Sequence, residues 1–130
     1  MDTSRRSILV VDDDADMRDL LLHHLSRAGY DVRVAQDALA ARECIGEQVP
    51  DLIVADISMP QESGVEFVAS LRADAGHSRI PVIYLTKLEE NTELAVKTLG
   101  FPLLSKPLAA PELLAMVKRQ LRPPAQRESA

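Results

Sequence analysis

Four short apolar runs in this sequence end on residues that can do chemistry. Ile8-Leu9-Val10-Val11 runs into Asp12-Asp13-Asp14, and Leu52-Ile53-Val54-Ala55 runs into Asp56. The run 80–85 ends at Thr86, and Leu103-Leu104 is followed by Ser105-Lys106-Pro107. Clustered carboxylates repel and raise one another's pKa unless a cation neutralises them. A hard divalent cation such as Mg2+ (or Mn2+) takes oxygen ligands and keeps several waters. With such an ion present, one carboxylate can act as a nucleophile toward phosphorus. The cation, the Lys106 ammonium and the Thr86 hydroxyl would then bind phosphoryl oxygens as charge shifts.

That chemistry requires all four segment ends to meet on one edge of the fold. Apolar residues at Met17, Leu21, Leu25 and Ala28 give the first helix one inner face, with Gly29 as its stop. Residues 30–35 alternate as a strand, with Val32 and Val34 on one side. Asp37 caps a helix reaching Glu47, with Ala38, Ala41, Cys44 and Ile45 inward. Ser63 or Gly64 opens a third helix with Val65, Phe67, Val68 and Leu71. Residues 89–99 read as a short fourth helix that stops at Gly100. Pro111 begins a fifth, with Leu114, Val117 and Leu121 inward.

Five strands and five helices thus alternate. The fold class is α/β. The near-continuous apolar strands suit a doubly wound parallel sheet covered on both faces, which takes its ligand outside the carboxyl ends of the strands. Residues 6–121 form one domain, and the aperiodic stretch 122–130 is a flexible tail or the start of a linker.

Composition narrows the function. The 130 residues are 46% hydrophobic but only 3% aromatic, so the core is aliphatic. Fifteen Lys and Arg against twenty Asp and Glu leave a net charge of -5. That balance disfavours nonspecific nucleic-acid binding, which needs phosphate-neutralising cations. A single cysteine, Cys44, excludes an intrachain disulfide and a cysteine zinc cage. No segment reads as a signal peptide or approaches the roughly 20 apolar residues that span a bilayer. The expectation is a reduced, cytoplasmic protein.

The motifs, in their order, resemble the receiver domain of two-component response regulators, the CheY-like superfamily. They are Ile8-Leu9-Val10-Val11-Asp12-Asp13, Pro50-Asp51-Leu52-Ile53-Val54-Ala55-Asp56, Met59-Pro60, Gly64, Ile80-Pro81-Val82-Ile83-Tyr84-Leu85-Thr86 and Lys106-Pro107. The resemblance implies a flavodoxin-like (βα)5 fold with strand order 2-1-3-4-5. It implies Asp56 as phosphoacceptor and a Mg2+ held by Asp13 directly, Asp12 largely through water, Asp56, and the backbone carbonyl of Ser58. Thr86, the Lys87 backbone N–H and Lys106 would contact the phosphoryl group, and the bond into Pro107 would be cis. The implied partner is a histidine kinase or histidine phosphotransfer protein, with a downstream protein partner or attached output domain left open. The implied activity is a switch with slow autophosphorylation and autodephosphorylation, not a metabolic enzyme.

Several positions depart from the family pattern. Lys87 stands where a small residue follows the Thr, and Leu103 stands where the family carries its switch aromatic. The segment between Thr86 and Lys106 is about two residues shorter than in well-known family members. Leu108 replaces a common Phe, and Glu62-Ser63 precedes Gly64. These features motivate one alternative, a pseudo-receiver that binds partners without phosphorylation. A second alternative is a haloacid-dehalogenase-type phosphatase, because Asp12-Asp13-Asp14 contains an Asp-x-Asp. Ala15-Asp16 does not match that family's continuation. His23 and His24 read as one half-buried and one solvated helix residue, not as a phosphotransfer site.

Overall fold

Three polar side chains set where the first three helices begin. The computed structural model describes residues 5–87 and 102–122. Asp14 accepts from the Asp16 amide to cap α1 (Ala15–Arg27), and Asp37 accepts from the Ala40 amide to cap α2 (Ala38–Glu47). Ser63 and Glu66 form a reciprocal capping box on α3 (Gly64–Arg72). Each such cap contributes about 1 kcal/mol by satisfying amides the helix leaves unpaired. The last described helix, α4 (Ala110–Gln120), instead opens on Pro111, whose missing N–H costs nothing in a first turn. At the far end of α1, Gly29 adopts φ +100, a conformation that favours glycine, and the chain turns into the next strand.

Five strands, β1 (Ser7–Val11), β2 (Asp31–Ala35), β3 (Leu52–Asp56), β4 (Val82–Lys87) and β5 (Leu103–Lys106), form one parallel sheet ordered β2-β1-β3-β4-β5. This is the doubly wound α/β architecture expected from the sequence. Both faces of the central strands are buried. Leu9, Val11, Ile53, Ala55 and Tyr84 point into a core shared with α2 and α3. Ile8, Val10, Leu52, Val54, Ile83 and Leu85 point into a second core under α1 and α4. Alternate residues serving two cores explain why these strands read as unbroken apolar runs.

Some local expectations shift. β4 starts at Val82 because Pro81 has no N–H and offers only its carbonyl, which accepts from Ile53 N at 3.0 Å. β4 continues past the apolar run through Thr86 to Lys87, and β5 continues through Ser105 to Lys106. On α4, Leu113 and Val117 are fully buried, whereas Leu114 and Leu121 pack at the core margin. Val34 is exposed on edge strand β2, while Val32 packs inward. Cys44 is half-buried, and Ala28 is the exposed C-cap of α1. His23 is exposed and His24 half-buried. The helix expected over 89–99 lies outside the described residues. Among the described residues, no helix is long and apolar enough to cross a membrane.

Candidate functional site

The sheet order makes β1 and β3 neighbours, with β4 and β5 following. Their C-terminal ends therefore lie side by side. α1 leaves β1 over one core and α3 leaves β3 over the other, so a crevice opens where the chain paths diverge. Asp12 follows β1, Asp56 ends β3, Thr86 lies in β4 and Lys106 ends β5.

Carboxylate oxygens of Asp12, Asp13 and Asp56 lie within 4.8 Å of one another. Asp12 is wholly buried, Asp56 and Thr86 are buried, and Asp13 is exposed at the rim. Lys106 reaches in from the other side. Its Nζ is 3.0 Å from Asp12 Oδ2 and 3.2 Å from Asp56 Oδ2. The Asp14 amide donates to Asp12 Oδ1 at 2.9 Å, and the Ser58 amide donates to Asp56 Oδ1 at 3.2 Å. Each buried carboxylate thus has one oxygen held by the backbone and one facing the Lys106 ammonium.

The electrostatics are unbalanced. Burial, and then the neighbouring Asp12 charge, push the Asp56 carboxyl up to about 6; Lys106 and the Ser58 amide pull the other way without prevailing. Burial opposes the charge on Lys106, but the hydrogen bonds and charges of Asp12 and Asp56 outweigh it and hold the ammonium above its ordinary pKa. Three carboxyl groups against one ammonium leave room for a further cation. Asp12 Oδ2 points the same way: it is buried and has no hydrogen-bonding partner among the described residues beyond the Lys106 ion pair. The donors are all hard oxygens, which suits Mg2+ or Mn2+. An acidic cluster compatible with a metal is therefore in place.

The remaining expected residues fall as follows. Ser58 is exposed just beyond β3. Lys87 is the last residue of β4 and pairs in register with Lys106. The Lys106–Pro107 peptide is cis. Leu103 lies beside Tyr84 in the β4–β5 ladder and packs, half-buried, on the core that contains Tyr84. Asp14, the second Asp of the Asp-x-Asp that the phosphatase reading needs, is exposed and caps α1 through Oδ1.

Two supporting residues carry roles that motif matching did not reveal. Arg18 Nη1 donates to the Asp12 carbonyl at 2.7 Å and ties the loop after β1 to α1. No local sequence signal announces that contact, which needs the helix to turn Arg18 back over the loop. Gly64 donates its amide to Ile57 O at 2.8 Å. A Cβ there would sit 2.2 Å from the Asp56 carbonyl oxygen. The close return of the chain beside the end of β3 therefore requires glycine.

Known proteins share this arrangement of strands. The model of the response regulator receiver domain matches residues 8–118. The chain is 35% identical over 124 residues to the DNA-binding response regulator MtrA of Mycobacterium tuberculosis, covering 94% of this chain and 53% of that protein. It thus spans about half the length of such curated relatives. Among solved structures, chemotaxis protein CheY4 of Vibrio cholerae is 30% identical with a TM-score of 0.82, over 91% of this chain and all of that one. The signal receiver domain of a histidine kinase from Syntrophus aciditrophicus is 28% identical with a TM-score of 0.81, over 89% of each chain. The carboxylates and lysine converge at the C-terminal edge of a 2-1-3-4-5 sheet, and the family model runs through every strand that carries them; the chain belongs to the receiver domain family of response regulators.

Proposed function

We propose that this chain is a cytoplasmic phosphoacceptor switch over residues 6–121, with 122–130 as tail or linker. The observation that carries the reading is the placement of Lys106 Nζ between Asp12 Oδ2 and Asp56 Oδ2. In the reaction, an Asp56 carboxylate oxygen attacks the phosphorus of a phosphohistidine on a histidine kinase or phosphotransfer protein. The P–N bond breaks, the imidazole leaves with the electron pair, and a P–O bond to Asp56 forms. Asp56 is suited as acceptor because its other carboxylate oxygen is held by the Ser58 amide.

Lys106 turns from Asp56 toward a phosphoryl oxygen while keeping Asp12, so the ammonium stays paired throughout. Thr86 and the Lys87 N–H receive the other phosphoryl oxygens. Asp12, Asp13, Asp56 and the Ser58 carbonyl would hold Mg2+, which supplies charge neutralisation between the carboxylates and the incoming phosphoryl group. Loss of the phosphoryl group to water resets the switch. Output passes to a protein partner or an attached domain. With Leu103 at the switch position, side-chain coupling through an aromatic ring at that position is absent, and the output is either muted or carried by backbone movement alone.

The test is intact mass after incubation with Mg2+ and acetyl phosphate. The parent is expected to gain one acid-labile phosphoryl group, and Asp56→Asn none. Absence of uptake by the parent, or equal uptake by the variant, overturns the reading.

A further inference from the structure

The loop between β3 and α3 carries Ser58 and Met59, two and three residues after Asp56. Its base is closed by the Gly64 amide on Ile57 O, and the Ser63–Glu66 capping box joins it to α3. Its outer arm is held differently. Arg42 of α2 donates through Nη1 and Nη2 to the two carboxylate oxygens of Glu62, at 2.7 and 2.6 Å. Nη2 also donates to Ser70 Oγ at 2.8 Å, and the guanidinium carbon lies 5.3 Å from the centre of the Phe67 ring. Ser70 Oγ in turn donates to Phe67 O at 2.7 Å.

An isolated surface ion pair contributes little, because two long side chains must be ordered to make it. Arg42 differs. Ser70 and Phe67 fix the guanidinium plane, so less freedom is lost when Glu62 takes the two-point contact. The hydrogen bond holds the Glu62 carboxyl below its ordinary pKa and the Arg42 guanidinium above its own. Next to Glu62, Gln61 adopts φ +71, the one positive φ at a non-glycine residue among the described residues. Such a backbone persists when its surroundings over-determine it. The Glu62 amide donates to Pro60 O at 2.8 Å, so the turn through Gln61 is closed on the side that Arg42 grips.

We propose that Arg42 and Glu62 are a positioning pair: from α2 they hold the β3–α3 loop in the conformation that presents the Ser58 carbonyl and the Asp56 carboxylate to the metal. The metal half rests on the proposed phosphoacceptor function. The loop half stands on the geometry alone.

The test compares the parent with Glu62→Ala, Arg42→Glu and the charge-swapped pair Arg42→Glu/Glu62→Arg. Both positions are partly exposed, and thermal unfolding checks that each variant folds. Amide hydrogen exchange at Glu62 and Gly64 is read in metal-free protein, and Mg2+ affinity is read by calorimetry. Each single substitution is expected to speed exchange about fivefold or more and to weaken Mg2+ about three- to tenfold. The swap restores the ion pair but not the contacts of the guanidinium with Ser70 and Phe67, so it is expected to recover part of both losses, which a merely space-filling role would not produce. Unchanged exchange and affinity in the single variants, or a swap no better than either single, overturns the pair. A parent that binds no Mg2+ overturns the metal half and the phosphoacceptor reading, while the exchange ratios still decide the loop half.

Discussion

Lys106 Nζ lies 3.0 Å from Asp12 Oδ2 and 3.2 Å from Asp56 Oδ2, with the lysine side chain 10% exposed. One ammonium thus serves two buried carboxylates, one just beyond β1 and one at the end of β3. Replacing it by a neutral chain leaves both acids uncompensated. Lys106→Met is expected to destabilise the metal-free protein by about 3 kcal/mol at pH 8. The deficit is expected to shrink as pH falls through about 6, where Asp56 takes up a proton. Urea unfolding of both proteins at pH 8 and pH 5 measures it.

The Asp56 carboxyl titrates near 6 in the folded chain against an ordinary 3.8. The folded state therefore binds this proton more tightly than the unfolded state does. Its contribution to stability is favourable below the ordinary value and is lost as pH rises through about 6. Asp56→Asn removes that loss. The variant is expected to be more stable than the metal-free parent by about 1–3 kcal/mol at pH 8, with the gain vanishing toward pH 4. Chemical unfolding across that range checks the sign and the window.

At the proposed metal site, Mg2+ would compete with that same proton. Stabilisation by saturating Mg2+, read as a rise in Tm, is expected to be larger at pH 8 than at pH 5. The difference should largely disappear in Asp56→Asn. A Mg2+ effect independent of pH would place the ion elsewhere.

Gly64 lacks room for any side chain, since a Cβ would meet the Asp56 carbonyl at 2.2 Å. Backbone must move to admit one. Gly64→Ala is expected to cost about 2–4 kcal/mol and to slow phosphoryl uptake at Asp56. Gly46→Ala is the control, because a Cβ at Gly46 meets nothing within 4 Å. It should be neutral or stabilising in the last turn of α2.

Most of the architecture could be read along the chain because β1, β3 and β4 are apolar runs rich in β-branched residues, each with a chemical residue at its end. The caps Asp37 and Ser63 were equally legible, since short polar side chains before periodic apolar stretches have a local mechanism. The inner face of α4 was not. Leu113 and Leu114 are adjacent, and a helix can centre its stripe on 113 and 117 or on 114, 117 and 121; the core under β1 and β3 selects the first. Val34 alternates like a core residue, yet β2 is an edge strand and leaves it in solvent. The site's charged residues were visible as types and positions, but their balance was not. That Asp12 is wholly buried while Asp13 is at the rim depends on how the chain turns after β1. The grip of Arg42 on Glu62 spans twenty residues and two helices' packing, so no local pattern encodes it.

The most direct measurement identifies the residue that carries the phosphoryl group. The parent is treated with Mg2+ and acetyl phosphate, the acyl phosphate is reduced with borohydride, and the digested peptides are sequenced by mass. Reduction converts a phosphorylated aspartate to homoserine. The account predicts homoserine at position 56 alone. Homoserine at position 12 or 13, or unmodified aspartate at all three, would contradict it.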